Sequence, residues 1–207
     1  MQAELIINDM KTRFLIVVAA LLALCLGASA QGFNRMMTRP ELAGEIHFKD
    51  GTIEEYQIVY MPTYYEGRVK VLTFKDEEKV IPVSKIKELI FWNEEEPDRR
   101  FTLRYVPCKY PHTGDIWALL DYEGKYAAVY SVAWTFNVDK AGRIVAIYEQ
   151  GYGAERVWYN AHKNAWLVNP KGKKVEKFYS DDPKLAADMK EQSRSAKYIV
   201  ENYHPKK

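Results

Sequence analysis

The sequence predicts an α+β fold that is predominantly antiparallel β: a small SH3-like or Sm-like barrel unit, an antiparallel β-meander, and a C-terminal helix. Three observations predict it. Short segments with apolar residues at every second position recur from residue 42 onward, the period of half-buried strands. Turn residues separate these segments, with Asp50-Gly51, Gly124 and Gly142 available for the positive φ that tight connections use. Only after Ser180 does the apolar spacing lengthen to the helical period.

The chain opens with a segment of a different kind. From Met10, Lys11 and Arg13 precede an apolar run, Phe14 to Leu26, and small residues close it at Ala28-Ser29-Ala30. That is the pattern of a secretory signal, with Met10 as the initiator and the cut after Ala30. The run is shorter than the roughly 20 residues a spanning helix needs. The expectation is therefore a signal over 1–30, a flexible lead-in over 31–41, and no membrane span once the signal is removed. Leu24 stands where a lipidation signal at Cys25 wants a small residue.

In the first β unit, 42–92, Ile46 and Phe48 alternate with Glu45, His47 and Lys49. Thr52 to Met61 returns as the partner strand, "RVKVLTF" is a third strand, and "KVIPV" a fourth whose Pro82 favours an edge position. "SKIKELIFW" closes the unit. The phrase Phe-Lys-Asp occurs twice, at Phe48 and at Phe74, each time before a polar pair and a new apolar run. The repetition reads as two hairpin tips built alike: Phe ends an inward register, Lys meets water and Asp starts the turn. Residues 93–100, "NEEEPDRR", read as an acidic linker.

The second β unit, 101–178, is rich in aromatic residues. "FTLRYVPCKY", "DIWALLDY", "KYAAVYSVAWTF", "IVAIYEQ", "ERVWYN" and "AWLVN" read as successive strands, with "PKGKK" as a turn. In the tail, 181–204, Asp182 is placed to cap a helix whose first position holds Pro183. Leu185, Met189, Ala196, Ile199, Val200 and Tyr203 form its apolar stripe, which Ser193 and Ser195 weaken in the middle, so the tail is one helix or two.

Charge and composition exclude several classes. A formal net charge of +2 gives no electrostatic case for nucleic acid. Of the two cysteines Cys25 leaves with the signal, so Cys108 has no partner for an internal disulfide. His47, His112, His162 and His204 lack the paired spacing of a zinc site. Cys108 and His112 are near one another, but Pro111 keeps them off a common helical face. No Gly-x-Ser-x-Gly elbow and no phosphate-binding glycine loop occurs. Asp115, Asp121, Glu123 and Glu149 are the carboxylates a glycan hydrolase would draw on. No cofactor is expected.

The positive signal is aromatic. Tyr and Trp present flat apolar faces with polar edges, as sugar-binding and peptide-binding surfaces do, although most such rings fill the core of a β protein without disulfides. The candidate ligand-binding residues are Tyr64, Tyr65, Tyr152 and Trp158.

The stretches "LGASAQ", "GEIHFKDGTIEEY", "IPVSKIKELIFW" and "FYSDDPKLAADMK", with "YIVENYH", resemble a broad set of uncharacterised secreted proteins of Bacteroidetes-type Gram-negative bacteria. Those relatives often carry a cysteine where Asp182 stands. The resemblance implies export and brings no catalytic residues. The expectation is a non-enzymatic binding or interaction protein of the periplasm, cell surface or medium, with a protein, peptide or glycan partner. A glycan-binding module and a carboxylate-dependent glycan hydrolase are the alternatives.

Overall fold

A computed structural model describes residues 39–107, 114–148, 154–191 and 195–207. The signal expected over 1–30, nearly all of the expected lead-in, Cys108, His112, Glu149 and Tyr152 lie outside the described residues. Arg39–Lys207 is one compact unit.

Its strands are β1 (Glu41–Phe48), β2 (Ile53–Tyr60), β3 (Arg68–Leu72), β4 (Glu78–Pro82), β5 (Ile86–Trp92), β6 (Phe101–Val106), β7 (Ile116–Glu123), β8 (Ala127–Val132), β9 (Thr135–Val138), β10 (Ile144–Ile147), β11 (Glu155–Asn160) and β12 (Ala165–Val168). Three helices follow: α1 (Gly172–Phe178), α2 (Pro183–Glu191) and α3 (Ala196–Asn202). Ten strands make one antiparallel sheet in the order β12-β11-β8-β7-β6-β5-β1-β2-β3-β4, and β9 with β10 makes a second, two-stranded sheet. The predominantly antiparallel α+β class read from the sequence is the class observed.

The sequence reading makes 42–92 a barrel-like unit and 93–100 a linker. In the structure β5 hydrogen-bonds to β6 through Leu89↔Leu103 and Phe91↔Phe101, so 93–100 is the connection between two neighbouring strands. One apolar core crosses that connection, from Leu42, Ile46 and Val59 through Leu89 and Phe91 to Leu103, Trp117, Leu119 and Phe136. β4 is an edge of the sheet, as Pro82 requires.

Three boundaries differ from the sequence reading, each for a local reason. β1 starts at Glu41 and takes the end of the lead-in into the sheet. Gly44 weakens the sequence signal there, but a Cβ at that position would lie 2.7 Å from the Ile90 carbonyl oxygen, so close strand contact demands glycine. The run "KYAAVYSVAWTF" breaks after Val132; β9 then leaves the main sheet, and its hairpin with β10 packs Phe136, Val138 and Ile144 onto the core. The end of the meander is helical, because Val175 and Tyr179 bury one side of α1. Of the one helix or two expected for the tail, the structure has two, α2 and α3.

The C-terminal helices cover one face of the sheet at Ala127, Val129 and Trp158 with Leu185, Met189, Ile199, Val200 and Tyr203. Asp182 caps α2, its Oδ1 accepting from the Leu185 N–H at 2.9 Å. Both Phe-Lys-Asp phrases are hairpin tips: Gly51 has φ 91° in the first and Asp76 has φ 59° in the second. They differ in the ring, since Phe48 packs against the core while Phe74 is 66 % exposed.

Candidate functional site

Side chains alternate across a strand, and register decides which ones meet. The register His47↔Glu88 between β1 and β5, with Leu89↔Leu103, Arg104↔Ala118 and Leu120↔Tyr130, sets Glu45, His47, Glu88, Arg104 and Tyr130 on the face opposite the helices. Glu123 joins them through a β-bulge. Leu120 faces Tyr130 and Tyr122 faces Val129, so Asp121 is an extra residue and the parity of β7 reverses after it. Were Asp121 instead part of the regular alternation, Glu123 would point to the other face.

The result is a ladder of charge across the sheet. His47 Nε2 lies 3.0 Å from Glu45 Oε1 and its Nδ1 lies 3.1 Å from Glu88 Oε1. A neutral imidazole has one N–H, so both contacts are hydrogen bonds only in the doubly protonated ring. Arg104 donates from Nε to Glu88 at 2.9 Å, from Nη1 and Nη2 to the two oxygens of Glu123 at 2.5 and 3.0 Å, and from Nη1 to the Tyr130 hydroxyl at 3.2 Å. At the rim Arg100 lies 3.3 Å from Glu45 and 4.0 Å over the Trp92 ring.

Glu88 is 7 % exposed, and a carboxylate so placed needs partners. Burial pushes its carboxyl upward, but the bond and charge of Arg104, helped by Lys87 and His47, outweigh that and hold it below the ordinary carboxylate value. The Arg104 guanidinium is disfavoured by burial, yet Glu123, Tyr130 and Glu88 raise its affinity for the proton well above normal. Burial likewise raises Tyr130, against the pull of Arg104.

Beside the ladder stands a group of rings. Tyr130 is 5.7 Å from Trp166, and Trp166 is 4.4 Å from Tyr159. Tyr159 and Trp166 are half-buried and pack with Leu120 and Tyr64 against Val106, Ile116, Ala118 and Val157. Of the residues expected from sequence, Tyr64 therefore joins this cluster. Tyr65 is 48 % exposed, its ring 4.1 Å from that of Tyr64. Trp158 does not belong to the site: it is 5 % exposed, on the helix-covered face, edge-on to Tyr179 at 6.4 Å. The alternation of β11 that sends Tyr159 to the ladder face sends Trp158 into the core.

Asp121 lies apart from the ladder. Its Oδ2 accepts the Ser131 hydroxyl at 2.7 Å, and burial raises its carboxyl although Ser131 and Arg156 oppose the shift. Among the described residues no group of three or more His, Cys, Asp or Glu side chains is placed to hold a metal ion. None of their helices is long and apolar enough to cross a membrane.

Sequence reasoning misses Glu45, His47, Glu88, Arg104 and Trp166 as a set. Each strand shows only one or two polar residues at outward positions, which reads as an ordinary solvated face. The only available signal is the order acid, base, acid, base, acid once the register is known. Comparison with protein-family models, with curated proteins and with solved structures finds no match.

Proposed function

We propose that this is an exported, non-enzymatic binding protein of the periplasm, cell surface or medium, and that it holds a peptide or glycan on the ladder face. The observation that carries the reading is the junction of Arg104 and Glu123 with the Tyr130, Trp166 and Tyr159 rings. A guanidinium and a carboxylate side by side offer donors and acceptors to hydroxyls or amides, while neighbouring rings supply flat apolar contact. Glu88 is held ionised with its oxygens already bonded, which suits recognition and rigidity rather than proton donation.

The test is titration calorimetry against soluble polysaccharides and peptide pools, repeated with Trp166→Ala and Glu123→Gln. The expected result is saturable binding that both changes weaken. Binding that neither change touches overturns the reading. Hydrolysis is the second reading, and one observation favours it: Asp121 is a half-buried carboxyl with a raised proton affinity, as a general acid requires. Release of reducing sugar by the parent chain, lost in Asp121→Asn, would decide for it.

A further inference from the structure

β2 runs from Ile53 to Tyr60, but β3 pairs with it only through Ile58, Val59 and Tyr60. β3 ends at Leu72, and the chain then turns at Thr73, whose carbonyl accepts the Asp76 N–H at 3.0 Å. The first half of β2 is thus bonded to β1 on one side and has no strand on the other among the described residues. Between it and the β3–β4 tip lies a cleft of about 370 Å³ lined by Glu54, Glu55, Tyr56, Thr73, Phe74, Lys75, Glu77 and Lys79. Ligand sites span about 300–1,000 Å³, so this cleft is large enough to count.

Alternate residues of an antiparallel strand aim their N–H and C=O groups to opposite sides. Part of the backbone of 53–57 therefore faces the cleft, and none of the turn or loop hydrogen bonds among the described residues reaches it. Such a row is a template for an added strand. The side chains around it are uncommitted in the same sense. Glu54 accepts the Tyr56 hydroxyl at 2.6 Å, but Glu55, Glu77, Lys75 and Lys79 form no ion pair among the described residues, in contrast to the ladder, where each charge is matched. Phe74, which lines the opening, is 66 % exposed.

We propose that this slot takes an extended segment of a partner protein as an added strand on β2, with alternating basic and apolar side chains. Its main chain pairs with 53–57, its lysines or arginines meet Glu55 and Glu77, and its apolar side chains cover Phe74. Three carboxylates against two ammonium groups give the lining its acidic balance. The proposal is independent of the ladder face.

The test uses the full chain and three labelled peptides: acetyl-KVKVKV-amide, acetyl-EVEVEV-amide, and the first sequence N-methylated at alternate residues. Fluorescence anisotropy gives affinity, and amide hydrogen exchange gives location. The expected result is that only the first peptide binds, slows exchange within 53–57, and loses at least tenfold in affinity with the Glu55→Lys, Glu77→Lys double variant. That variant should melt where the parent does, and Trp166→Ala should leave this binding unchanged. No binding at millimolar peptide, equal binding of all three peptides, or binding that leaves 53–57 unprotected overturns the proposal. So does protection of 53–57 that rises with protein concentration in the absence of peptide, which would make the occupant a second copy, or protection by lipid vesicles, which would make it a membrane.

Discussion

Arg104 and Glu123, nineteen positions apart, form a two-pronged pair in which Nη1 and Nη2 meet Oε1 and Oε2 at 2.5 and 3.0 Å. The same guanidinium also reaches Glu88 at 2.9 Å, so one cation serves two carboxylates of different exposure. The Glu88 side chain is 9 % exposed and that of Glu123 is 48 % exposed. This difference decides what each substitution costs.

Arg104→Met strands a buried charge, and the expected loss is about 3–5 kcal/mol of folding stability. Glu123→Gln removes a solvent-screened partner and costs about 0.5–1 kcal/mol. Urea denaturation of the two variants, compared at one pH, checks the ranking. Equal losses would mean that Arg104 serves the surface pair alone.

Stability should respond to acid with two opposed contributions. Glu88 binds its proton less readily when folded, so its contribution is present above the unfolded carboxyl value of about 4.3 and fades as pH falls through the lower folded value. Asp121 binds its proton more readily when folded, so it stabilises at low pH and loses that contribution as pH rises through its raised value. At neutral pH Asp121→Asn should therefore gain stability while Glu88→Gln loses roughly 1–3 kcal/mol. Melting curves at pH 7 and pH 4 read both signs, and the Glu88→Gln deficit should shrink at the lower pH.

Asp182 ties two ends together. Its Oδ1 caps α2 through Leu185 and its Oδ2 accepts the His204 N–H at 2.9 Å. Asp182→Ala should cost about 1–3 kcal/mol, above an ordinary capping loss, because two bonds go at a 7 % exposed site. Thermal denaturation followed by circular dichroism measures it. Asp182→Asn, which retains an acceptor for one of the two bonds, should recover part of the loss.

Gly124 lies beneath α3, where a Cβ would stand 2.5 Å from the Val200 carbonyl oxygen. Backbone cannot yield there as a side-chain tip can. Gly124→Ala should lift α3 from the sheet, at about 1–3 kcal/mol, with faster amide exchange at Ile199 and Val200. Unchanged exchange at those two amides would contradict the packing described.

The antiparallel hairpins were open to sequence reading because their signals are local: a two-residue apolar period, and turn residues such as Gly51 and Asp76 whose φ is positive. The buried stripe from Leu185 to Tyr203 was equally open, because helical spacing is a property of one segment. Register is not local. That β5 meets β6, that Tyr159 rather than Trp158 faces the ladder, and that His47, Glu88 and Arg104 become neighbours all follow from pairings between segments far apart in the chain. The bulge at Asp121 was hidden for a related reason, since an extra residue is visible only against its partner strand. Helix α1 was missed because lysines and a glycine at its start resemble a turn until Val175 and Tyr179 find the sheet.

The bulge at Asp121 makes one backbone insertion a switch between two surfaces. Drawing Asp121 into the regular pairing, so that it faces Val129 and Tyr122 faces Ala128, would leave every ladder side chain in the chain and yet aim Glu123 among the apolar groups beneath the helices, so the composition of the ladder face would survive while its wiring was lost. Drift in this protein can thus exchange side chains on that face one at a time, whereas a one-residue slip of β7 against β8 beyond Asp121 rewires both sides of the sheet together.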